Sequence, residues 1–150
     1  MTFSETALQY VKPDSRVLDL GAGKGWFAQQ ALKKEGIVTA VDQKMPSAKN
    51  EAVDWRITDV KQYLETLSNK DMFQVIYSRN MIQFLDSNWV EKELLPILVR
   101  HLDPRGILAI QTFYQEPEPR FDTALTSVHT LANLKSLLKN LHVVHERQFS

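Results

Sequence analysis

The sequence predicts an α/β protein in which helices cover both faces of a doubly wound, mostly parallel sheet, in three layers. Short apolar segments alternate along the chain with segments whose apolar residues recur at helical spacing. The apolar segments at 17–20 and 37–41 are nearly free of polar residues, as expected of strands buried on both faces. The first of them runs directly into a glycine-rich turn that begins a helix, which is typical of a strand–turn–helix unit in a parallel sheet.

Length and composition narrow the class of protein. We expect the 150 residues to form one domain spanning 1–150. The 18 basic and 18 acidic residues balance, so the overall charge does not indicate nucleic-acid binding, although a local basic patch is compatible with this composition. No cysteine is present, which excludes disulfides and thiolate metal sites. We find no signal peptide and no membrane-spanning stretch, and we therefore expect a cytoplasmic protein.

The glycine-rich turn follows the first strand and comprises Gly21, Gly23 and Gly25. A dinucleotide-binding turn needs a third glycine at the position of Trp26. A phosphate-binding P-loop needs a serine or threonine after its lysine, but Gly25 follows Lys24. The turn therefore matches neither pattern. The helix after it, 26–34, is predicted to end at Gly36 in a left-handed conformation.

Asp19 is the one acidic residue of the first strand. Burying a carboxylate without a counter-charge or hydrogen-bond donors costs on the order of several kcal/mol. It would repel a phosphate and attract a cation or hydrogen-bond donors. The alternative is that Asp19 merely caps a tight strand-to-helix turn.

Asp19 to Gly25 reads as an acidic residue followed by x-Gly-x-Gly-x-Gly, and in this the chain resembles the class I S-adenosylmethionine-dependent methyltransferases. The resemblance implies a Rossmann-like fold and S-adenosylmethionine as the cofactor. That ligand carries a sulfonium, an ammonium and a carboxylate but no phosphate, in agreement with the turn and with Asp19.

Two acidic residues lie where the next predicted strands end. Asp42 follows strand 37–41, about twenty residues beyond the turn, where a carboxylate can accept both ribose hydroxyls. This position alone does not exclude a nicotinamide enzyme, and Asp42 could instead belong to a turn or a helix cap. Asp59 follows strand 52–57 and is predicted to cap the next helix. By resemblance its carboxylate accepts from the adenine amine and the Val60 amide donates to a ring nitrogen.

The fourth predicted strand, 72–77, runs into Ser78-Arg79-Asn80-Met81, next to the switch in strand order where ligands bind. This segment lacks the Asp/Asn-Pro-Pro-Tyr/Phe motif of nucleic-acid amino methyltransferases and resembles the small-molecule enzymes. Arg79 is electrostatically unfavourable beside a sulfonium, so we expect it to point away, or toward the cofactor carboxylate or an acidic acceptor. The predicted cofactor-binding residues are Asp19, Gly21, Ala22, Gly23, Gly25, Asp42, Gln43, Asp59, Val60, Ser78 and Asn80.

The remaining segments complete the predicted sheet. We expect a first helix over 3–11 capped by Ser4, a helix from Ser87 or Asn88 that is interrupted at Pro96, and a fifth strand over 107–113. A helix over 131–141 and a strand over 142–149 follow. The family's usual last antiparallel strand is missing, and we expect that the sixth strand closes directly on the fifth, that another copy of the protein fills the sheet edge, or that the missing strand reflects truncation.

The leading hypothesis is transfer of the sulfonium methyl group to a small-molecule acceptor by in-line displacement, in which positioning supplies most of the catalysis. No catalytic base is assigned, and Gln83, Tyr114 and Glu116 are placed on the acceptor side by position only. Tyr10 is expected to be packed rather than to serve as a lid. The histidines show no metal-ligand spacing, so no metal is expected. The alternatives are a binding or interaction protein without methyl transfer and, less favoured, a nicotinamide oxidoreductase.

Overall fold

A computed structural model describes residues 2–47 and 50–112. They contain a parallel sheet of five strands in the order β3-β2-β1-β4-β5. The strands are β1 (Arg16–Leu20), β2 (Ile37–Asp42), β3 (Asp54–Ile57), β4 (Phe73–Arg79) and β5 (Leu102–Gln111). The order reverses between β1 and β4, which confirms the doubly wound, Rossmann-like arrangement.

Helices cover both faces of this sheet. On one side lie α1 (Phe3–Leu8) and α2 (Trp26–Lys33), and on the other lie α3 (Val60–Glu65) and a segment after β4. That segment comprises a 3-10 turn (Ile82–Phe84), α4 (Ser87–Trp89), a π-helical turn (Val90–Leu94) and α5 (Leu95–Arg100). The expected interruption at Pro96 takes the form of this π turn, after which Pro96 occupies the first turn of α5.

Two hydrophobic clusters, one on each face, hold the layers together. Leu18 and Leu20 of β1 belong to the cluster under α3 and α5, whereas Val17 belongs to the cluster under α1 and α2. Alternation along β1 thus places Asp19 on the α2 side, next to Ala28. The sheet therefore buries a carboxyl group beneath the beginning of α2.

The first helix ends at Leu8 rather than at residue 11, and three helix caps differ from the sequence expectation. Thr2, not Ser4, caps α1, through a capping box in which Thr2 Oγ1 accepts from the Glu5 amide. Glu35, not Gly36, takes the left-handed conformation after α2, at φ 65°. Gly36 is required for space instead, since a Cβ there would lie 3.0 Å from the Ala31 carbonyl oxygen.

The third difference concerns the helix after β4. Asp86, rather than Ser87 or Asn88, precedes its first turn, and Asp86 Oδ1 accepts from the Trp89 amide at 2.9 Å. Aspartate, serine and asparagine all cap well, so a cluster of such residues leaves the sequence prediction uncertain by one or two positions.

The fifth strand starts earlier than expected. Leu102 pairs with Phe73, and Ile107 then pairs with Val75, so the segment between them bulges out of the ladder. The predicted turn before residue 107 thus lies inside β5. No described helix could cross a membrane. The predicted elements at 131–141 and 142–149, Tyr114, Glu116 and the question of the last antiparallel strand lie outside the described residues.

Candidate functional site

A cleft of about 300 Å³ opens at the carboxyl ends of β1 and β4, beside the beginning of α2. This is the crevice where open α/β sheets bind ligands. Five of the predicted cofactor-binding residues line it, namely Asp19, Gly21, Ala22, Gly23 and Asn80. The structure thus brings together the residues of the glycine turn and of the segment after β4.

The three glycines of the turn all have positive φ but serve different purposes. A Cβ on Gly21 would lie 3.0 Å from Met81 Cγ, and a Cβ on Gly25 would lie 2.6 Å from Trp55 Cη2. These two positions need glycine for packing. A Cβ on Gly23 would meet no atom within 4 Å, so Gly23 faces open space in the cleft.

The turn is fastened to the end of β2. The amides of Gly21 and Ala22 donate to the Val41 carbonyl at 2.8 and 3.0 Å. Asp42 Oδ2 accepts from the Gly23 amide at 2.8 Å, and Asp42 Oδ1 accepts from the Lys44 amide at 3.0 Å. Asp42 therefore has the turn role that the sequence left open, and it also stands beside the glycine that faces the cleft.

Asp19 is 1% exposed, and its Oδ2 has no hydrogen-bond partner among the described residues. Burial raises the pKa of this carboxyl group to about 7, against the smaller opposing effect of the Ala28 amide, while Asp42 raises it further. A buried oxygen without a partner, at the edge of a cleft, favours a cationic or hydrogen-bond-donating ligand.

Six predicted site residues do not line this cleft. Asp59 caps α3, its Oδ1 accepting from the Gln62 amide at 2.7 Å, as the sequence predicts. Ser78 is buried, and its Oγ has no partner in the described part of the chain. The remaining four are Gly25 at the start of α2, Asp42, the exposed Gln43 and the buried Val60.

An aromatic stack, which the sequence analysis missed, lies beside the cleft. The Tyr77 ring lies 3.7 Å from the Phe27 ring and 5.4 Å from the Phe3 ring, centroid to centroid. The Tyr77 hydroxyl and Ser4 Oγ form a buried hydrogen bond of 2.7 Å, and burial raises the pKa of Tyr77. Tyr77 pairs with Asp19 in the sheet, so alternation along β4 was the signal that could have placed it here.

The first helix contacts the cleft through Ser4 rather than through Tyr10. Tyr10 is partly buried against the cluster of α1 and α2, as expected. The segment before β1 thus borders the cleft through Ser4, while Tyr10 packs away from it.

The mouth of the cleft carries two cationic side chains, Lys24 and Arg79, and the half-exposed Trp26. Arg79 Nε donates to Gln111 Oε1 at 2.9 Å. In residues 2–47 and 50–112 there is no cluster of three or more histidine, aspartate or glutamate residues that could hold a metal ion.

Comparison with known proteins assigns the chain to a family. The family described as a methyltransferase domain matches residues 3–148. No curated protein sequence matches the chain.

Solved structures share the fold. The 1,6-didemethyltoxoflavin-N1-methyltransferase of Burkholderia thailandensis, solved with S-adenosylhomocysteine, is 21% identical with a TM-score of 0.71, over 93% of this chain and 66% of that one. Phosphoethanolamine N-methyltransferase 2 of Haemonchus contortus, solved with S-adenosyl-L-methionine, is 20% identical with a TM-score of 0.71, over 91% and 35%. A methyltransferase of Mesorhizobium loti is 17% identical with a TM-score of 0.66, over 93% and 80%. The chain therefore matches about two thirds of the Burkholderia enzyme and about a third of the Haemonchus enzyme.

Proposed function

Since this chain belongs to the methyltransferase-domain family, we propose that it binds S-adenosylmethionine and transfers the sulfonium methyl group to a small-molecule acceptor. The observation that carries the proposal is that Asp19 and Gly23 line the same cleft. One oxygen of the buried Asp19 carboxyl group has no partner among the described residues, and Gly23 faces open space. The Burkholderia structure contains S-adenosylhomocysteine, the demethylated product of this cofactor, and the Haemonchus structure contains S-adenosyl-L-methionine itself.

The residues present fit this cofactor. Its ammonium is a donor that would satisfy Asp19, and its lack of phosphate suits a turn with a nearby carboxyl group. Asp42 would accept from the ribose hydroxyls, since two hydrogen bonds to amides leave carboxylate lone pairs free. We propose that Gly21, Ala22, Gly23, Ser78 and Asn80 hold the methionine end, that Gln43 lies beside the ribose, and that Asp59 and Val60 hold the adenine. Gly25 supports the turn by packing on Trp55.

The bound cofactor supplies a methyl group activated by its positively charged sulfur. The chain's contribution is to orient that group and to exclude water. The stacked rings of Phe27 and Tyr77 line one side of the cleft, and the Ser4–Tyr77 hydrogen bond ties α1 to this side. Holding the two reactants in line is worth several kcal/mol in order of magnitude.

A second candidate function is binding of S-adenosylmethionine without methyl transfer. One observation favours it: among the described residues lining the cleft there is no histidine, and the sole carboxyl group, Asp19, is buried. An acceptor that is already a good nucleophile needs no base, so methyl transfer stays the leading proposal.

The two functions separate in a paired experiment. Calorimetry with S-adenosylhomocysteine measures binding, and incorporation of label from methyl-labelled S-adenosylmethionine into a panel of small amines, hydroxyls and thiols measures transfer. Asp42→Ala should weaken binding by about 1–3 kcal/mol, since hydrogen bonds to a charged group are lost. Asp54→Ala is the control, because Asp54 is an exposed carboxylate of β3 that contacts Arg56 instead. Equal affinity of both variants would contradict the role of Asp42.

Other features stay predictions from the sequence: a single domain over 1–150, a cytoplasmic location and self-association through a sheet edge. Light scattering over a range of concentrations tests the last, and a monomer at every concentration would contradict it.

A further inference from the structure

Arg79 is arranged as a binding group rather than as a structural one. It is exposed at the carboxyl end of β4, lines the cleft, and pairs in register with Gln111 of β5. Its Nε donates to Gln111 Oε1 at 2.9 Å, which fixes the plane of the guanidinium group. Among residues 2–47 and 50–112 it contacts no carboxylate. Its two terminal nitrogens therefore remain available, and they match the paired oxygens of a carboxylate or a phosphate.

The charges of the cleft favour an anion at this point. Its described lining contains two cations, Lys24 and Arg79, and one acidic group, the buried Asp19. A sulfonium is itself cationic, so Arg79 would destabilise it at short range. The hydrogen bond to Gln111 holds the guanidinium toward β5, the strand farther from Asp19.

Strand order separates the two ends of the ligand space. Asp42 ends β2, Asp19 lies on β1, and Arg79 ends β4. Neighbouring strands are about 4.8 Å apart, so Arg79 stands about 10 Å across the sheet from Asp42. With the ribose at Asp42 and the methionine end at Asp19, Ser78 and Asn80, the Arg79 guanidinium, held toward β5, lies beyond that end, on the side where the acceptor would bind.

We propose that Arg79, positioned by Gln111, binds an anionic group, a carboxylate or a phosphate, of the methyl acceptor. The inference rests on the proposed function and narrows it to acceptors that carry a negative charge.

The test uses protein saturated with S-adenosylhomocysteine and titrated with inorganic phosphate and, separately, acetate at constant ionic strength. Binding is followed through the Arg79 Nε–H resonance and, in variants, through backbone amides of the cleft. Arg79→Gln should raise the phosphate dissociation constant at least tenfold, while Arg100→Gln, which alters an exposed arginine of α5, should not change it. Gln111→Glu should also weaken phosphate binding, because the new carboxylate would occupy Arg79.

Three outcomes would overturn the inference. One is no effect of either anion on the wild-type protein, and another is equal phosphate binding by Arg79→Gln. The third is that Arg79→Gln weakens S-adenosylhomocysteine tenfold but leaves 5′-methylthioadenosine, which lacks the carboxylate, unaffected; Arg79 would then hold the cofactor. Calorimetric titration with S-adenosylhomocysteine comes before the anion titrations, and a wild-type protein that does not bind it would contradict the proposed function rather than this inference.

Discussion

Replacing Asp19 by asparagine should make the ligand-free protein less sensitive to pH while weakening its binding of a cationic ligand. Asp19 is 1% exposed, and burial raises its pKa from 3.8 to about 7. The folded protein therefore holds a proton on Asp19 across a pH range in which the unfolded chain has released it. Within that range the free energy of unfolding falls as pH rises, because the folded state binds more protons than the unfolded state.

The size of the effect follows from the shift. One pKa unit corresponds to about 1.4 kcal/mol. Well above pH 7 the free energy of unfolding is therefore about 4 kcal/mol lower than at acidic pH, where Asp19 is protonated in both states. About 2 kcal/mol of this loss develops between pH 5 and pH 7. Asp19→Asn removes this titration. Its amide still accepts from Ala28 but buries an unpaired donor, at a cost of about 1–3 kcal/mol that does not depend on pH.

The assay is urea denaturation of both proteins at pH 5, 6, 7 and 8, with calorimetric binding of S-adenosylmethionine at the same values. The wild-type protein should lose stability from pH 5 to pH 7, and Asp19→Asn should lose about 2 kcal/mol less. Between pH 5 and pH 7, below the range in which the α-ammonium of the ligand titrates, cofactor affinity of the wild type should rise as the carboxylate ionises and should stay flat in the variant. If the free energy of unfolding changed with pH in the same way in both proteins, Asp19 would not have the raised pKa on which this prediction rests.

Three further substitutions test the glycine turn and the aromatic stack. Gly23→Val should abolish cofactor binding in calorimetry; its Cβ meets no atom within 4 Å, but a β-branched residue is strained at φ 57°, so the variant should also lose stability in urea denaturation; unchanged affinity in the folded variant would contradict the placement of the ligand. Gly25→Ala should lower stability by about 1–3 kcal/mol through overpacking, because its Cβ would lie 2.6 Å from Trp55 Cη2; the double variant with Trp55→Leu should recover part of the loss in thermal unfolding. Tyr77→Phe should cost about 1 kcal/mol in denaturation, since Ser4 Oγ loses its buried partner; no loss would mean that water replaces it.

Much of the fold follows from local sequence. The strand β1, the turn after it and the acidic end of β2 are short-range features, and each lies where its pattern predicts. The cap of α3 was predictable for the same reason, because Asp59 satisfies an amide only three residues away. Such signals need no knowledge of the remainder of the chain.

Long-range contacts were less accessible. Ser4 seemed a helix cap because serine suits that role, but its hydroxyl bonds to Tyr77, 73 residues away. Gly36 seemed to need a left-handed backbone, whereas its small size is required by the Ala31 carbonyl and by Val11 and Val17. A residue's propensity does not reveal which distant atom limits it, so these roles emerge only from packing.

The candidate site likewise contains residues that a local motif predicts and residues that only the packing of the strands brings together. Asp19 and the glycine turn were predictable as one motif, whereas the Tyr77 stack and the Arg79–Gln111 pair depend on which strands are neighbours. Strand alternation could have placed Tyr77 beside Asp19 once the β1–β4 pairing was assumed.

Calorimetric titration of the unmodified protein with S-adenosylhomocysteine, followed by the same titration with nicotinamide adenine dinucleotide, shows which ligand the Asp19–Gly23 cleft takes. We expect one site per chain with a micromolar dissociation constant for the first ligand and no heat of binding for the second. A folded protein that binds neither ligand, or binds only the dinucleotide, would contradict the assignment of the Asp19–Gly23 cleft to S-adenosylmethionine.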